Sequence, residues 1–191
     1  MSGAWQASFY LTSLHFLPRF LVIHSDKELM PFTPFHFGLG AALHAVAPRQ
    51  LSFLAFCAVN VLMDIEPLYY MLTDQYPWHR FFHTYVGATL MLAATVGLFI
   101  LARQLAGWVS VPNWFTWQEL TVSQVTIGAA AGSYSHIAFD SIMHPDIQPL
   151  FPFSRSNTLL QVMDVDTLHV ACLVAGLAAI VLIGVRHLLR E

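Results

Sequence analysis

The sequence predicts an all-α integral membrane protein: a helical bundle with about four membrane-embedded helices and a short helix ahead of them. Of its 191 residues, 57% are hydrophobic and only 10% are charged, against roughly 25% charged residues in a soluble domain. The segments 85–101 and 168–185 contain no Asp, Glu, Lys or Arg, and each approaches the ~20 apolar residues that cross a bilayer core. Two further apolar segments, 51–72 and 123–143, carry acids and a histidine only toward their C-terminal ends.

These segments place the four embedded helices near residues 50–72, 84–105, 122–143 and 166–189. We expect Pro67 to break the first of them, because proline removes a backbone donor. Ahead of it, residues 34–47 predict a shorter helix that ends at Pro48 and cannot span a bilayer by itself. The loop 106–119 contains three tryptophans, which is typical of an interfacial aromatic belt.

Residues 30–191 are expected to form a single membrane-embedded, hydrolase-like domain, preceded by an N-terminal extension, 1–29. The extension is apolar but lacks a basic start and a small-residue cleavage site, so it does not resemble a secretory signal peptide. Two interpretations stay open: Met30 is the true start, or the extension is an interfacial helix interrupted at Pro18.

Charge and cysteine usage exclude other classes of function. The formal net charge is −3 and the eight Lys and Arg residues are scattered, so no basic patch is available for a nucleic acid backbone. Cys57 and Cys172 lie in apolar runs without ligand spacing, which indicates buried small hydrophobic residues. We therefore expect a lipid bilayer as the partner and no nucleic acid; the sequence does not reveal the oligomeric state.

The polar residues of the embedded helices are expected to meet on one side of the membrane. In an antiparallel bundle, the end of the first helix, the start of the second, the end of the third and the start of the fourth share a side, and so does the start of the short helix. The ionisable residues at these positions are His36, Asp64, Glu66, His79, Arg80, His83, His136, Asp140, His144, Asp164, Asp166 and His169.

A divalent metal explains this convergence. Ionisable groups inside a membrane protein are costly unless they are paired, and a divalent ion takes nitrogen and oxygen ligands. His136 and Asp140 are four residues apart and point the same way on a helix, as do His79 and His83. The alternatives are a buried ion pair between His136 and Asp140, and interfacial histidines at 79 and 83.

The remaining polar residues receive other interpretations. Asp164 and Asp166 are expected to cap the last helix through its N-terminal amides. Glu66 is either a ligand or a support for one. The histidines without a polar neighbourhood are interpreted as ordinary surface or packing residues, and these are His15, His24, His44 and His187.

The motifs also resemble a known family. His36 is followed by DIEP at 64–67, HRFFHT at 79–84, SHIAFD at 135–140 and HPDIQPLFPFS at 144–154. This order, over residues 30–157, resembles the YdjM-like family of bacterial inner-membrane proteins, described as membrane-bound metal-dependent hydrolases. The chain departs from that pattern at Met63, which replaces the first Asp of a PDID-like motif, and at His83, which comes one position early. The family is distantly similar to zinc-dependent phospholipase C and the P1-type nucleases.

The resemblance implies ligands and a reaction. It implies that His136, Asp140 and His144 bind metal, that Asp64 is a bridging carboxylate, that His36 is an early ligand, and that His79 or His83 contributes directly. It further implies one to three divalent ions, most often zinc, in a multi-pass protein of the bacterial inner membrane. The expected reaction is hydrolysis of a small-molecule or lipid phosphoester by hydroxide generated at the metal.

Two catalytic roles follow from that chemistry. Asp64 is expected to bridge the ions or to take the proton of the attacking water. Arg80, or alternatively Arg155, would hold the substrate phosphate through paired hydrogen bonds. For both arginines, anchoring of a lipid head group is the competing interpretation.

Two other functions make different demands on the sequence. In a non-catalytic, metal-stabilised interaction partner or regulator, the ion contributes folding energy and protein atoms fill every coordination position. A transporter needs polar residues that continue to the other face, where Asn60 and Ser133 are the main ones, and this disfavours a path through the membrane.

The positive-inside rule predicts the orientation. Arg49, Arg103, Arg186 and Arg190 lie at the end of the bundle opposite the site, against Arg80 and Arg155 near it. Because basic residues are enriched on the cytoplasmic side, the site is predicted to lie outside the cytoplasm.

Overall fold

A computed structural model describes residues 35–189. In this range every regular element is a helix, and the five α-helices are α1 (His36–Val46), α2 (Phe53–Leu72), α3 (Tyr85–Ala106), α4 (Val122–Met143) and α5 (Val165–Leu188). Short 3₁₀ turns occur at Phe81–His83 and Trp114–Glu119. The predicted all-α bundle is confirmed for this part of the chain, whereas the expectations for residues 1–29 lie outside the described residues.

Three helices, α2, α3 and α5, are long and apolar enough to cross a membrane. Large apolar side chains stay exposed along α3 and α5: Leu98 is 53% exposed and Ile180 is 68% exposed. Such extensive exposed apolar surface is characteristic of a membrane-contacting protein. The chain is therefore a membrane protein by the composition and the surface of its helices.

Helix α4 is as long as α3 but less apolar, because Ser, Gly, Gln, His and Asp residues interrupt its apolar sequence. It packs against both α2 and α3, and nine of its residues are buried. Neighbouring helices thus shield α4, which explains why it does not need the uniformly apolar surface of α3 and α5.

Small residues allow close helix packing. A Cβ atom added at Gly128 of α4 would overlap the carbonyl oxygen of Ser52 at the start of α2, and one at Gly38 of α1 would overlap the carbonyl oxygen of Cys172 in α5. Such small-residue contacts are the usual way in which membrane helices approach each other. They fix the α2–α4 and α1–α5 pairs that carry most of the candidate site residues.

The predicted break at Pro67 is wrong, because α2 continues through this residue to Leu72. Proline removes one intrahelical hydrogen bond, and contacts with neighbouring helices allow a membrane helix to tolerate that loss. Pro67 is buried, so neighbouring parts of the bundle pack against α2 at this residue.

Side chains cap the N-terminus of each long helix. Ser52, Thr84 and Thr121 accept backbone hydrogen bonds at the starts of α2, α3 and α4. Asp164 caps α5 as predicted, since its carboxylate accepts the Thr167 backbone N–H at 2.9 Å. Asp166 lies in the first turn of α5, where a negative charge is favourable.

The ends of the helices are sorted into two groups. At one end, Arg186 donates to the Ala45 carbonyl, and Gln124 Nε2 donates to the Arg49 carbonyl at 3.1 Å. The loop between α3 and α4 belongs to this end and exposes Trp108. The candidate site residues lie at the opposite end.

Candidate metal centre

Side chains from α1, α2, α4 and the turn before α3 meet at one end of the bundle. His36 begins α1, Asp64 lies in α2, His83 ends the 3₁₀ turn, and His136 and Asp140 lie in the last two turns of α4. All five are at most 5% exposed. The structure thus brings these five predicted site residues together.

Four of them form what we call the buried centre: Asp64, His83, His136 and Asp140. Each offers one ligand atom, and these atoms lie within 4.8 Å of one another. Nε2 of His136 is 3.3 Å from Asp64 Oδ1, 3.1 Å from Asp140 Oδ2 and 3.2 Å from His83 Nε2. Two ligands of a tetrahedral ion at bond lengths of 2.0–2.2 Å lie about 3.3–3.6 Å apart, so the buried centre can hold a metal ion.

Two further side chains orient the histidines of the buried centre. His83 Nδ1 donates to Glu66 Oε2 at 3.1 Å, and His136 Nδ1 donates to Asn60 Oδ1 at 2.8 Å. With Nδ1 engaged in this way, each ring directs its Nε2 at the centre, as ligand histidines usually do. Glu66 is therefore a support rather than a member of the four-atom set.

Sequence reasoning missed the role of Asn60, which it counted only as a polar residue on a transport path. The bond from His136 to Asn60 joins residues 76 positions apart in the chain. No sequence period links two such residues, so only the packing of α2 against α4 reveals the contact.

His36 lies beside the buried centre. Its Nε2 is 3.5 Å from Asp140 Oδ1, and both atoms are buried without a hydrogen-bond partner among the described residues. A buried polar atom without a partner costs about 1–3 kcal/mol. An ion between these two atoms would remove that cost, so the orphaned pair fits a metal as well.

Burial keeps His36 and His83 neutral. Desolvation lowers the pKa of His36 to about 3 and the pKa of His83 to about 4. A neutral imidazole is the form that binds a metal, so both rings are ready to act as ligands at neutral pH.

The chain matches no protein-family model, no curated protein and no solved structure.

The alternative to a metal ion is a simple ion pair between His136 and Asp140. Such a pair accounts for their 3.1 Å contact. In that pair, the single Nε2–H group of His136 would face three acceptors, Asp64 Oδ1, Asp140 Oδ2 and His83 Nε2. An ion between these atoms would instead be bound by all of them.

His79 and His144 lie in a separate group with Asp146, which we call the outer group. His79 Nδ1 is 3.0 Å from Asp146 Oδ1, and the rings of His79 and His144 stack with centroids 4.4 Å apart. The sequence predicted both histidines as ligands but missed Asp146. The available signal was its place in the HPDIQP motif, two residues after His144.

The carboxyl group of Asp146 is ionised at neutral pH. Burial by itself would raise its pKa, but hydrogen bonds from the His79 side chain and from the backbone of Trp78 and His79 outweigh burial and lower the pKa to about 2. The two backbone N–H groups donate to Oδ2 at 3.0 and 3.1 Å. Asp146 therefore holds the segment before α3 against the loop after α4.

A cavity of about 290 Å³ opens beside the outer group. Arg80 is fixed at its wall, since Nε donates to the Pro77 carbonyl at 2.9 Å and the guanidinium carbon lies 3.6 Å from the centre of the Tyr70 ring. Arg155, the other predicted phosphate-binding residue, is exposed. The cavity is lined by Pro77, His79, Arg80, Phe81, Thr84, Asp146, Gln148 and Phe151.

Proposed function

We propose that this protein is a membrane-embedded, metal-dependent hydrolase that cleaves a phosphoester, either a small molecule or a lipid-like substrate. The observation that carries the proposal is the buried centre, whose four ligand atoms lie within 4.8 Å of one another, with one atom of each of the other three residues 3.1–3.3 Å from His136 Nε2. The motif resemblance to YdjM-like hydrolases agrees with this chemistry. Zinc is the expected ion, because two imidazoles and two carboxylates are among its usual ligands.

The residues have distinct roles in this proposal. When bound, a divalent ion lowers the pKa of water and polarises a phosphoryl oxygen. Asp64 and Asp140 would hold the ion. Asp64 would also accept the proton of the attacking water, or bind a further ion. Arg80 holds the substrate phosphate at the cavity wall through paired hydrogen bonds.

His36 provides for more than one ion. Its orphaned Nε2 faces Oδ1 of Asp140, whereas Oδ2 of Asp140 faces the buried centre. Asp140 would thus be shared between two neighbouring ions, within the predicted range of one to three.

We propose further that the protein resides in the bacterial inner membrane with this end outside the cytoplasm.

One observation favours a second candidate function, a non-catalytic metal-stabilised protein that acts as an interaction partner or regulator. The buried centre offers four protein ligands, and all four side chains are at most 5% exposed. Structural zinc sites are closed in this way, whereas catalytic sites keep a position for water.

Metal analysis combined with a hydrolysis assay separates the two functions. The protein would be purified in detergent without chelator, analysed by elemental mass spectrometry, and assayed with bis(p-nitrophenyl) phosphate and p-nitrophenyl phosphate. We expect bound zinc and turnover in the wild type, less bound zinc and loss of turnover in Asp64→Asn, and retained zinc with impaired turnover in Arg80→Ala. Asp166→Asn, the same chemical change on an exposed helix turn, is the matched control.

Two results would count against the hydrolase. Bound zinc without turnover of either ester or of a lipid phosphoester in mixed micelles favours the metal-stabilised protein. Absence of zinc after metal is added back removes the chemical basis of both functions.

A further inference from the structure

The outer group, His79, His144 and Asp146, shares no residue with the buried centre, yet its ligand atoms also lie within 4.8 Å of one another. We infer that this group binds a divalent cation of its own, which faces the cavity and is separate from the ion of the buried centre. The role of that cation in hydrolysis rests on the proposed function, whereas its binding does not.

Asp146 is anchored so that one oxygen remains directed at the site. Its Oδ2 accepts the backbone N–H groups of Trp78 and His79. Its Oδ1 lies 3.0 Å from His79 Nδ1. Neighbouring ligands at right angles about an ion at 2.0–2.2 Å are separated by about 2.8–3.1 Å, so these two atoms fit adjacent positions in a five- or six-coordinate shell.

His144, which directly follows α4 as its C-cap, supplies the third ligand. Its ring stacks on that of His79 with an interplanar angle of 28°, which brings the nitrogens of both rings to the same region as the carboxylate. His79 and Asp146 line the cavity beside Arg80, so a ligand in the cavity can reach this group. None of the four residues of the buried centre lines that cavity.

The two groups therefore differ in the number of positions they leave open. Three protein ligands with a remaining position for water or substrate are typical of a catalytic ion, and four protein ligands are typical of a structural one. The rings of His79 and His83 lie in contact, with centroids 4.8 Å apart, so the two ions would be neighbours. In this arrangement, the outer ion would hold the substrate beside Arg80, and the buried ion would lie next to it with Asp64.

The competing explanation is a hydrogen-bonded pair of His79 and Asp146 that only fastens two loops. A titration separates the two explanations. Full-length protein in detergent is stripped of metal with a chelator and then titrated with Zn²⁺ alone by calorimetry. Its zinc content is measured by elemental mass spectrometry. The variants are Asp146→Asn, which keeps an oxygen for the two backbone amides, and His144→Ala. Asp166→Asn is again the matched control, and Asp64→Asn reports on the buried centre.

We expect Asp146→Asn and His144→Ala each to bind one zinc ion fewer than the wild type, or to bind the outer ion about 10- to 100-fold more weakly. The zinc of the buried centre should remain in both variants. Asp64→Asn should lose the buried zinc, and Asp166→Asn should equal the wild type. Unchanged zinc stoichiometry and affinity in Asp146→Asn would overturn the outer site.

A measurement on the wild type alone protects the test against misfolded variants. Titration with Co²⁺ should give two phases with different visible absorption, one strong and four-coordinate, the other weak and of higher coordination number. A single phase would overturn the outer site. If both phases appear but no phosphoester is hydrolysed, the hydrolase proposal fails and the outer site stands.

Discussion

Glu66 illustrates how single residues prepare the candidate site. Its carboxylate accepts hydrogen bonds from His83 Nδ1 at 3.1 Å and from the backbone N–H groups of Arg80 and Phe82, each at 3.1 Å. One buried side chain therefore orients a ligand of the buried centre and satisfies the irregular backbone that precedes α3. Supports of this kind commonly tune metal affinity.

We predict that Glu66→Gln lowers the zinc affinity of the buried centre by about 10–100-fold. Glutamine keeps the size of the side chain and one oxygen for the three hydrogen bonds that Oε2 accepts, but it removes the negative charge that makes His83 a more basic ligand. Competition with a coloured chelator measures the affinity. Glu119→Gln, an exposed change at the other end of the bundle, should behave as the wild type, and equal affinity in both variants would contradict the support role.

The depressed pKa values of His36 and His83 predict how the metal-free protein responds to acid. Burial holds both folded-state pKa values, about 3 and about 4, below the ordinary value of 6.5. The unfolded chain then binds more protons than the folded chain between these values, so the free energy of unfolding decreases as pH falls from 6.5 toward 4.

Thermal unfolding of the chelator-treated protein in detergent checks this expectation. The unfolding temperature should fall between pH 7 and pH 5. Added zinc should raise it more at pH 7 than at pH 5, because bound metal stabilises the folded state and protons compete with the metal for the histidines. An unfolding temperature that stays constant or rises over this interval would contradict buried, neutral histidines.

The sequence predicted part of this site from spacing and part from topology. The four-residue spacing of His136 and Asp140 and the antiparallel order of the helices were sufficient to bring Asp64 and His83 to them. Asn60 lay beyond that reasoning, because side-chain hydrogen bonds between distant segments leave no period in a sequence. For the same reason, the separation of His79 and His144 from the buried centre depended on loop conformations, which a pattern of residues does not determine.

At the scale of helices, glycine positions set how closely α4 approaches α2. A Cβ atom at Gly128 would overlap the Ser52 carbonyl oxygen, whereas one at Gly97 in α3 would meet no atom within 4 Å. The two glycines lie inside helices and differ only in their surroundings. They form a matched pair for measuring the contribution of this helix contact.

We predict that Gly128→Ala destabilises the protein and that Gly97→Ala leaves it unchanged or stabilises it by up to about 1 kcal/mol, because alanine is the better helix former. The measurement is thermal unfolding of the zinc-loaded protein in one detergent. Equal unfolding temperatures for the two variants would show that α2 and α4 do not need their close approach.

The sequence also located the helices well, because long apolar runs and capping residues determine where they begin and end. The helix predicted near 122–143 is observed at Val122–Met143, after a Thr121 cap with Gln124 completing a capping box. The error at Pro67 arose because propensity describes an isolated helix, whereas α2 is held by its neighbours. Tertiary packing decided that element.

At the scale of the whole molecule, the arrangement of the helix ends predicts a topology. The loop between α3 and α4 and the C-terminus of α5 belong to the end opposite the site, where Arg49, Arg103 and Arg186 lie. With that end in the cytoplasm, alkaline phosphatase fusions after Asn113 and at the C-terminus should be inactive, and one after Asn157, in the loop between α4 and α5, should be active.

The same fusions test whether α4 crosses the membrane. If α4 does not cross, the fusions after Asn113 and after Asn157 will report the same side. If the bundle is inverted, all three fusions will report the opposite of the predicted side. Fluorescent protein fusions, which are bright only in the cytoplasm, provide the complementary signal at the same positions.

The order of the ligands along the chain has a consequence for biosynthesis. Asp64 and Glu66 are made as part of α2 before any of the histidines at 79, 83 and 136 that face them, and His136 follows His36 by 100 positions. An acid in a membrane helix costs about 2.5–3.5 kcal/mol at the bilayer centre and less toward an end. During translation, α2 must therefore enter the membrane with its two acids still unpaired. Glu66 meets His83 once the turn before α3 is made, whereas Asp64, eight residues before the end of α2, meets His136 only when α4 arrives.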